Sequence, residues 1–540
     1  MNEAGQKQGR PFAQSGAAAR ALAINLAGER AHASTRPNAD VGAASGAQSR
    51  RNVLRGDDEV DVHRRRWNRF LAVAVVLIVV LSPLPAASNR GAFWMFWSLM
   101  IGMIAAVYFG ALALQSRPRP LRAAAYLPAS LPLAAFFAYA AFQTLPIVAY
   151  LPDFLTALPI ERVPPDLGIT AAQLSLAPSA TLVGLARMIG SAMFLLLVIE
   201  TAGRLSRARV IAWSLFLSVF VYAIWAMIAL RFQGDTNFWG EEIAYLDVAT
   251  GPFINRNSFA TYLGMGAILG VALALERAQA PKMRRPNRAR WSSPETIEQL
   301  ALWVAIGVIL VTIVNTQSRM GLFATLLGMA VVWVLSATRR EHTGRRLAPL
   351  LSGLVALVIG LGVLLSQGGG LLDRSFGLES DAAVRTELYR QIIAMIFTRP
   401  LTGFGLDSFA LSFELFHAPP LTAELAWDMA HSSYLALWAE MGLIFGSIPL
   451  LLGAMIVWRL IRLLRLRSHD NALLVAALAI LAQVAVHSLV DFSLEIQANV
   501  FFLLTILGLA LARRERPMRR LERDETANAA PSEQSEGGAI

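Results

Sequence analysis

The 540-residue sequence contains no cysteine. That excludes disulfides, a thiolate nucleophile and every cysteine-based zinc site together. Lysine is almost as scarce, confined to Lys7 and Lys282. Arginine is therefore this chain's cation, and its use at any one position in place of lysine says little. No two histidines stand at the close helical spacing of a metal site, and His-Glu-x-x-His does not occur. Residues 1–66, rich in Ala, Gly, Ser and Arg, lack an apolar run long enough for a signal sequence. They read as a disordered cytoplasmic extension, with a weakly amphipathic helix around Ala17–Ala27 as an alternative.

What the sequence has in quantity is apolar length. It is 55% hydrophobic, with a mean hydropathy of +0.50. A spanning helix needs roughly 20 mostly apolar residues. Candidate runs lie near 69–86, 93–114, 123–146, 182–202, 210–230, 258–275, 299–316, 321–337, 347–366, 442–458, 472–490 and 498–512. Helices are expected because a lipid-exposed span must satisfy its own backbone hydrogen bonds. The pattern predicts an all-α polytopic membrane protein of about 12 transmembrane helices. Spans one to nine fall in 67–366. A large periplasmic loop with short surface helices occupies 367–441, between spans nine and ten. The last three spans fall in 442–512, and 513–540 is a basic, then disordered, cytoplasmic tail.

The net charge of +11 could suggest a nucleic-acid partner, but its distribution argues otherwise. Arginines cluster in alternate loops: Arg117–Arg122, Arg204–Arg209, Arg277–Arg290, Arg339–Arg346, Arg459–Arg467 and Arg513–Arg523. Placing those loops in the cytoplasm satisfies the positive-inside rule at every turn. Both termini then face the cytoplasm, the loops 151–181, 231–257 and 367–430 face outward, and no nucleic acid is required.

The polar segment 367–430 is far longer than the connections of compact domains, which makes it a place to look for chemistry. Of seven histidines, His417 falls in it and His431 stands at its exit. Arg385, Leu388, Tyr389, Ile392 and Ile396 recur at helical spacing, predicting an amphipathic helix that stops before Pro400. Gly403-Phe404-Gly405 reads as a turn, and 406–425 as irregular. From Trp427 a helix is expected with His431, Tyr434, Leu435 and Trp438 on one face. His431 is a candidate acid–base residue, although a lone histidine at a helix start also serves structure. Arg319 sits in a very short outer turn beside hydrocarbon, where a charge needs a partner or ligand or else snorkels. Arg187, inside the fourth span, faces a polar interior or snorkels. Asn255, Arg256 and Asn257 precede the sixth span and suit either a ligand or a helix cap. His487, Asp491 and Glu495 recur every four residues and share a face if the helix continues through Asp491.

Taken together, several motifs resemble the O-antigen ligase/polymerase family of bacterial membrane glycan-transfer enzymes, over roughly 180–512. They are Phe253-Ile254-Asn255-Arg256-Asn257, Gln317-Ser318-Arg319, Arg385 ahead of Arg399-Pro400-Leu401-Thr402-Gly403-Phe404-Gly405, His431-Ser432-Ser433-Tyr434-Leu435 with Glu440-Met441-Gly442, and Val490-Asp491-Phe492. The resemblance implies an inner-membrane enzyme with its active site on the periplasmic face. Its donor would be a glycan on undecaprenyl diphosphate, and its acceptor a sugar hydroxyl on lipid A–core (ligase) or on another repeat unit (polymerase). It implies His431 as base, with Arg319, Arg385, Arg256 and Arg187 toward the diphosphate. Asn255, Asn257, Tyr434, Glu440 and Asp491 would support them, with no metal or other cofactor.

The main alternative is a twelve-span transporter or flippase for a glycolipid or small solute. Against it stand the position of the dominant loop and the lack of visible similarity between the halves. A scaffold or sensor with an outer domain is a third reading. Ligase and polymerase are not separated, because acceptor choice depends on cavity shape.

Overall fold

Long apolar stretches satisfy their backbone groups most readily within themselves, and those among the described residues become helices. The computed structural model describes residues 66–115, 121–158, 172–232, 247–279, 294–338, 371–424, 426–467 and 471–512. Among them there are helices and turns but no strand. The main helices are α1 (66–81), α2 (Gly91–Ala113), α3 (Leu127–Phe142), α4 (Pro178–Thr201), α5 (Leu205–Phe232), α6 (Arg256–Gln279), α7 (Pro294–Asn315) and α8 (Arg319–Ala337). They continue as α9 (Leu371–Thr398), α10 (Ser433–Gly446), α11 (Ile448–Arg465), α12 (Ala472–His487) and α13 (Gln497–Leu511).

Among the described residues, seven helices are long and apolar enough to cross a membrane. The pair α10–α11, bent by 73°, makes an eighth if it is one span. Helices α12 and α13 are apolar but shorter. The chain is thus a multi-pass membrane protein whose described residues are all-helical, and seven or eight of the twelve expected spans reach full length among the described residues. The expected ninth span, 347–366, lies outside the described residues, as do the N-terminal extension and the C-terminal tail.

Helix α6 is the axis of the bundle. Its apolar window is wholly buried, and it packs against α5, α7, α8, α12 and α13. Small residues permit this approach. A Cβ at Gly264 would meet Gln483 Nε2 and Thr325 Oγ1 at 2.2 Å. Helices enter and leave in alternation, so one end of the bundle gathers Pro178, Arg256, Arg319 and His487. The other gathers Thr201, Gln279 and Ala472.

The polar segment docks at the first end. As the spacing predicts, α9 buries Leu388, Ile392 and Ile396 on one face, against Phe404, Phe409, Phe413 and Ala439. It stops at Thr398, two residues before Pro400. Arg399 is only 1% exposed. It donates to the carbonyls of Thr156 (2.6 Å), Ala157 (2.8 Å) and Leu174 (3.0 Å), pinning the 153–158 and 172–177 segments to the loop. The stretch 406–425, expected to be irregular, contains a short helix at Phe409–Phe413. The amide of Phe409 donates to the Glu440 carboxyl at 3.2 Å, which explains its start.

The turn at 400–405 is threaded into a break in α10. Gly442 lies at φ 70° and Gly403 at φ 64°. The amides of Phe404 and Gly405 donate to the carbonyls of Ala439 (3.0 Å) and Glu440 (2.9 Å), and that of Leu443 to Pro400 (2.7 Å). A Cβ at Gly442 would stand 2.3 Å from the Leu401 carbonyl oxygen. Left-handed backbone costs a non-glycine residue about 1–2 kcal/mol before any clash. Gly442→Ala is therefore expected to lower the unfolding midpoint of the detergent-purified protein by more than Gly453→Ala, whose Cβ meets nothing within 4 Å. Equal midpoints for the two variants would show that the break does not depend on Gly442.

Candidate active site

His431 does not lie on a helix. The helix expected from Trp427 begins at Ser433, with His431 at φ 51° and Ser432 extended. The cause is that this stretch docks on the end of α12 instead of winding. The Ser433 amide donates to Ser488 O (3.1 Å) and Tyr434 Oη to Ala485 O (2.8 Å). Tyr389 Oη of α9 donates to His431 O at 2.8 Å. Tyr389 and Tyr434 thus hold the backbone around the histidine. The imidazole packs edge-on against Phe492, at 5.3 Å between ring centroids.

Burial pushes the His431 imidazole below its ordinary 6.5, with Asp491 pulling upward and Arg385 downward. It is therefore neutral at pH 7, the form a general base requires. His431 Nδ1 is buried and finds no hydrogen-bond partner among the described residues. Buried polar atoms are normally paired, so one here fits a site that meets a ligand.

The helix α12 ends at His487, so the expected single face carrying His487, Asp491 and Glu495 does not form. The link to α13 folds back and joins His487 to Asp491 all the same. His487 Nδ1 meets Thr261 Oγ1 of α6, which reaches Ser493 Oγ at 2.8 Å, and Ser493 Oγ donates to Asp491 Oδ2. Asp491 Oδ1, like His431 Nδ1, has no partner among the described residues. Thr261 and Ser493 are absent from the sequence-based candidates. A hydroxyl on an apolar helix gives no signal until its partners are known.

The arginines differ in kind. Arg385 is half-buried in α9, with Nη1 3.5 Å from Val490 O, and its charge acts on both His431 and His487. Arg319 is exposed at the first position of α8. Arg256 is the first residue of α6 and half-buried. Asn255 is that helix's cap, its Oδ1 accepting from the amides of Asn257 (2.8 Å) and Ser258 (3.1 Å). Two helix N-termini, each opening with an arginine, thus lie at one end of the bundle, a setting that favours anions.

Arg187 is occupied within the protein. Its Nη2 donates to Asp407 Oδ1 at 2.6 Å and its Nη1 to Glu495 O at 3.1 Å. The guanidinium carbon lies 4.3 Å from the Trp94 ring centre. Gly184, one turn earlier on α4, admits Asp407: a Cβ there would meet Asp407 Oδ2 at 2.2 Å. Glu440 and Glu495 act on the same cluster. Burial pushes the Glu495 carboxyl up to about 8, against the pull of Arg187. Asp407 was missed from sequence, although an arginine inside a span calls for a carboxylate somewhere.

Residues 304–448 match the family model described as O-Antigen ligase. The match bears out the resemblance carried by the motifs and supports a membrane glycan-transfer enzyme. No curated protein matches the chain. Arg319, Arg385, His431, Tyr434 and Glu440 lie within the O-antigen ligase stretch, whereas Arg187, Asn255, Arg256, Asn257 and Asp491 lie outside it.

Removing one member of a buried ion pair strands the other and costs about 3–5 kcal/mol, whereas apolar replacement of both is far milder. Arg187→Met and Asp407→Leu alone should each lower the unfolding midpoint sharply, and the double variant should recover most of the loss. Additive losses in a double-mutant cycle would show that the two side chains do not act as a pair.

Proposed function

We propose that the chain transfers a glycan from an undecaprenyl diphosphate carrier to a sugar hydroxyl, on lipid A–core or on another repeat unit. The reaction is assigned to the periplasmic face of the bacterial inner membrane, with both termini cytoplasmic and 367–441 as the acceptor-side loop. The supporting observation is convergence. Arg385 on α9 and Asp491 after α12 both act on His431 before α10, at the bundle end that also holds the N-termini of α6 and α8.

The chemistry follows from those groups. His431 takes the proton of the acceptor hydroxyl. That oxygen bonds to the anomeric carbon, whose bond to the diphosphate oxygen breaks, and the electron pair leaves with the diphosphate. Arg319 and Arg385, with Arg256 beside them, stabilise the departing charge through charge-assisted hydrogen bonds. Arg187 contributes by holding Asp407, and with it the turn that fixes α10, instead of by touching the donor. Asn255 and Asn257 set the start of α6, and Glu440 sets the start of the 409–413 helix.

His431→Ala should reduce transfer by about 10²–10⁴-fold while leaving the amount of protein in the membrane unchanged. Arg319→Ala and Arg385→Ala should each reduce turnover of the lipid-diphosphate donor by about 10²–10³-fold. In a deletion strain, lipopolysaccharide and exopolysaccharide gels separate the activities. Carrier-linked polymer accumulates if a ligase is lost, and single repeats if a polymerase is lost. Carrier-linked glycan trapped on the cytoplasmic side would instead indicate a translocator and overturn the transfer reading.

The acid limb of the transfer rate should lie below pH 6.5, where the imidazole of His431 gains its proton. Asp491 raises that pKa and Arg385 lowers it. Asp491→Asn is therefore expected to move the limb to lower pH, and Arg385→Gln to higher pH. A limb that stays fixed in both variants would place the titrating base elsewhere.

A further inference from the structure

Three buried threonines on the bundle's helices, Thr312, Thr325 and Thr505, each donate back to the carbonyl four residues earlier, at 2.9, 2.7 and 2.7 Å. That is a common outlet for a hydroxyl inside a helix. Thr261 does not follow them. It stands 3.2 Å from Asn257 O, and its closer contacts run across the bundle, to Ser493 Oγ at 2.8 Å and to His487 Nδ1. These contacts join three elements, since Thr261 is on α6, His487 closes α12 and Ser493 lies in the α12–α13 link. All three side chains are buried. Each is also held from behind. Gln483 Nε2, one turn before His487, donates to Thr261 O at 3.2 Å. Asn499 Nδ2 donates to Ser258 O and to Ser493 O, both at 3.0 Å.

A hydroxyl has one proton to give, and that fixes the direction of this relay. A carboxylate only accepts, so the proton of Ser493 goes to Asp491 Oδ2. Ser493 Oγ then accepts from Thr261, whose own proton is thereby used. Thr261 Oγ1 is left to accept, so His487 donates from Nδ1. The tautomer of His487 is thus set by a carboxylate two hydroxyls away. Asp491 is 1% exposed, and a carboxylate so far from water needs donors. The relay serves Oδ2, while Oδ1 has no partner among the described residues. The backbone around Asp491 touches the His431 centre. Arg385 Nη1 lies 3.5 Å from Val490 O, Ser433 Oγ 3.4 Å from Asp491 O, and Phe492 packs on the His431 ring.

We propose that His487, Thr261 and Ser493 are positioning residues for Asp491, a one-way hydrogen-bond relay anchored in the bundle that holds its carboxylate beside His431 by one oxygen. The relay acts on the His431 base through Asp491. Cut at either hydroxyl, it releases the carboxylate, and the imidazole loses part of the negative charge that favours its protonated form. The charges acting on His431 are Asp491 in the link, Arg385 on α9 and Asp428 just before the histidine. Asp491 is the one the relay holds. The value of the relay for catalysis rests on the transfer reading; its effect on His431 does not.

Diethylpyrocarbonate acylates neutral imidazole, so its reaction across pH titrates His431 without turnover when the His431 peptide of the full-length, detergent-purified protein is read by mass spectrometry. Thr261→Val and Ser493→Ala should each move that titration to lower pH, by part of the roughly 1–3 units that a nearby opposite charge contributes. Asp491→Asn should move it the same way, and Ser493→Ala added to Asp491→Asn should move it no further. Thr261→Ser keeps the hydroxyl and His487→Asn keeps a donor near the Nδ1 position. Both should preserve the wild-type titration, whereas His487→Leu should not. Thr505→Val, which removes a buried hydroxyl outside the relay, should leave it in place. In the transfer assay the acid limb should shift in the same order. A titration that Ser493→Ala leaves unmoved, moves to higher pH, or moves again in the Asp491→Asn background overturns the proposal. If Ser493→Ala is not monodisperse, Thr261→Val, which keeps the side-chain shape, takes its place in each comparison. The expected shifts in a protein that transfers no glycan would uphold the relay and remove the transfer reading.

Discussion

A charge inside a membrane-spanning helix must be matched, and the matching of Arg187 organises the site end of this protein. Its guanidinium holds Asp407, the Glu495 carbonyl and the Trp94 face together. Those groups come from the polar loop, the α12–α13 link and α2. One buried cation therefore fixes three elements that no continuous apolar core could align, because two of them are not apolar. The desolvation cost of the pair is an argument against a purely stabilising role. Its value lies in register: Asp407 enters only where Gly184 leaves room.

That register propagates. Asp407 follows directly on the 400–405 turn, and the turn sits in the break of α10 at Gly442. The break directs the start of α10 toward the end of α12, where Ser433 and Tyr434 find their carbonyl partners. His431 is thereby presented by a left-handed residue between two anchored segments. A histidine inside a regular helix would be fixed by that helix alone. Here its position depends on α9, α12 and the link at once, so the imidazole, Arg385 and Asp491 keep a common frame.

Much of this was legible in the sequence. The periodic face of α9, the stop before Pro400 and the Gly403–Gly405 turn follow from spacing and backbone permissiveness. They need no knowledge of distant contacts. The short turn at Arg319 was also visible, because two apolar runs leave no room for more. What was hidden depends on tertiary partners. Local spacing made 427–438 look helical, but the carbonyls at the end of α12 bind the amide and hydroxyls of 432–434 and turn the chain. The every-fourth-residue pattern of His487, Asp491 and Glu495 suggested one helical face. Instead the helix stops, a hydroxyl relay through Thr261 and Ser493 joins His487 to Asp491, and the Glu495 carbonyl goes to Arg187. The span count rests on hydropathy, which does not distinguish a full crossing from the shorter α12 and α13 or from a helix bent by 73°.

The scarcity of lysine takes on meaning at this level. Arginine serves three different tasks in one molecule. Arg399 and Arg187 are buried and satisfied by carbonyls or a carboxylate, which a planar fork with five donors does better than an ammonium. Arg319 and Arg385 stand at the site end, where the proposed reaction places the diphosphate. Arg122 and Arg207 lie at the far end, packed on Gly203 and bonded to the Thr201 carbonyl. The positive-inside rule alone asks only that charge lie on one side of the bilayer. It does not ask that Arg122 pack on Gly203 and Arg207 bond the Thr201 carbonyl, and those contacts tie the far-end loops together.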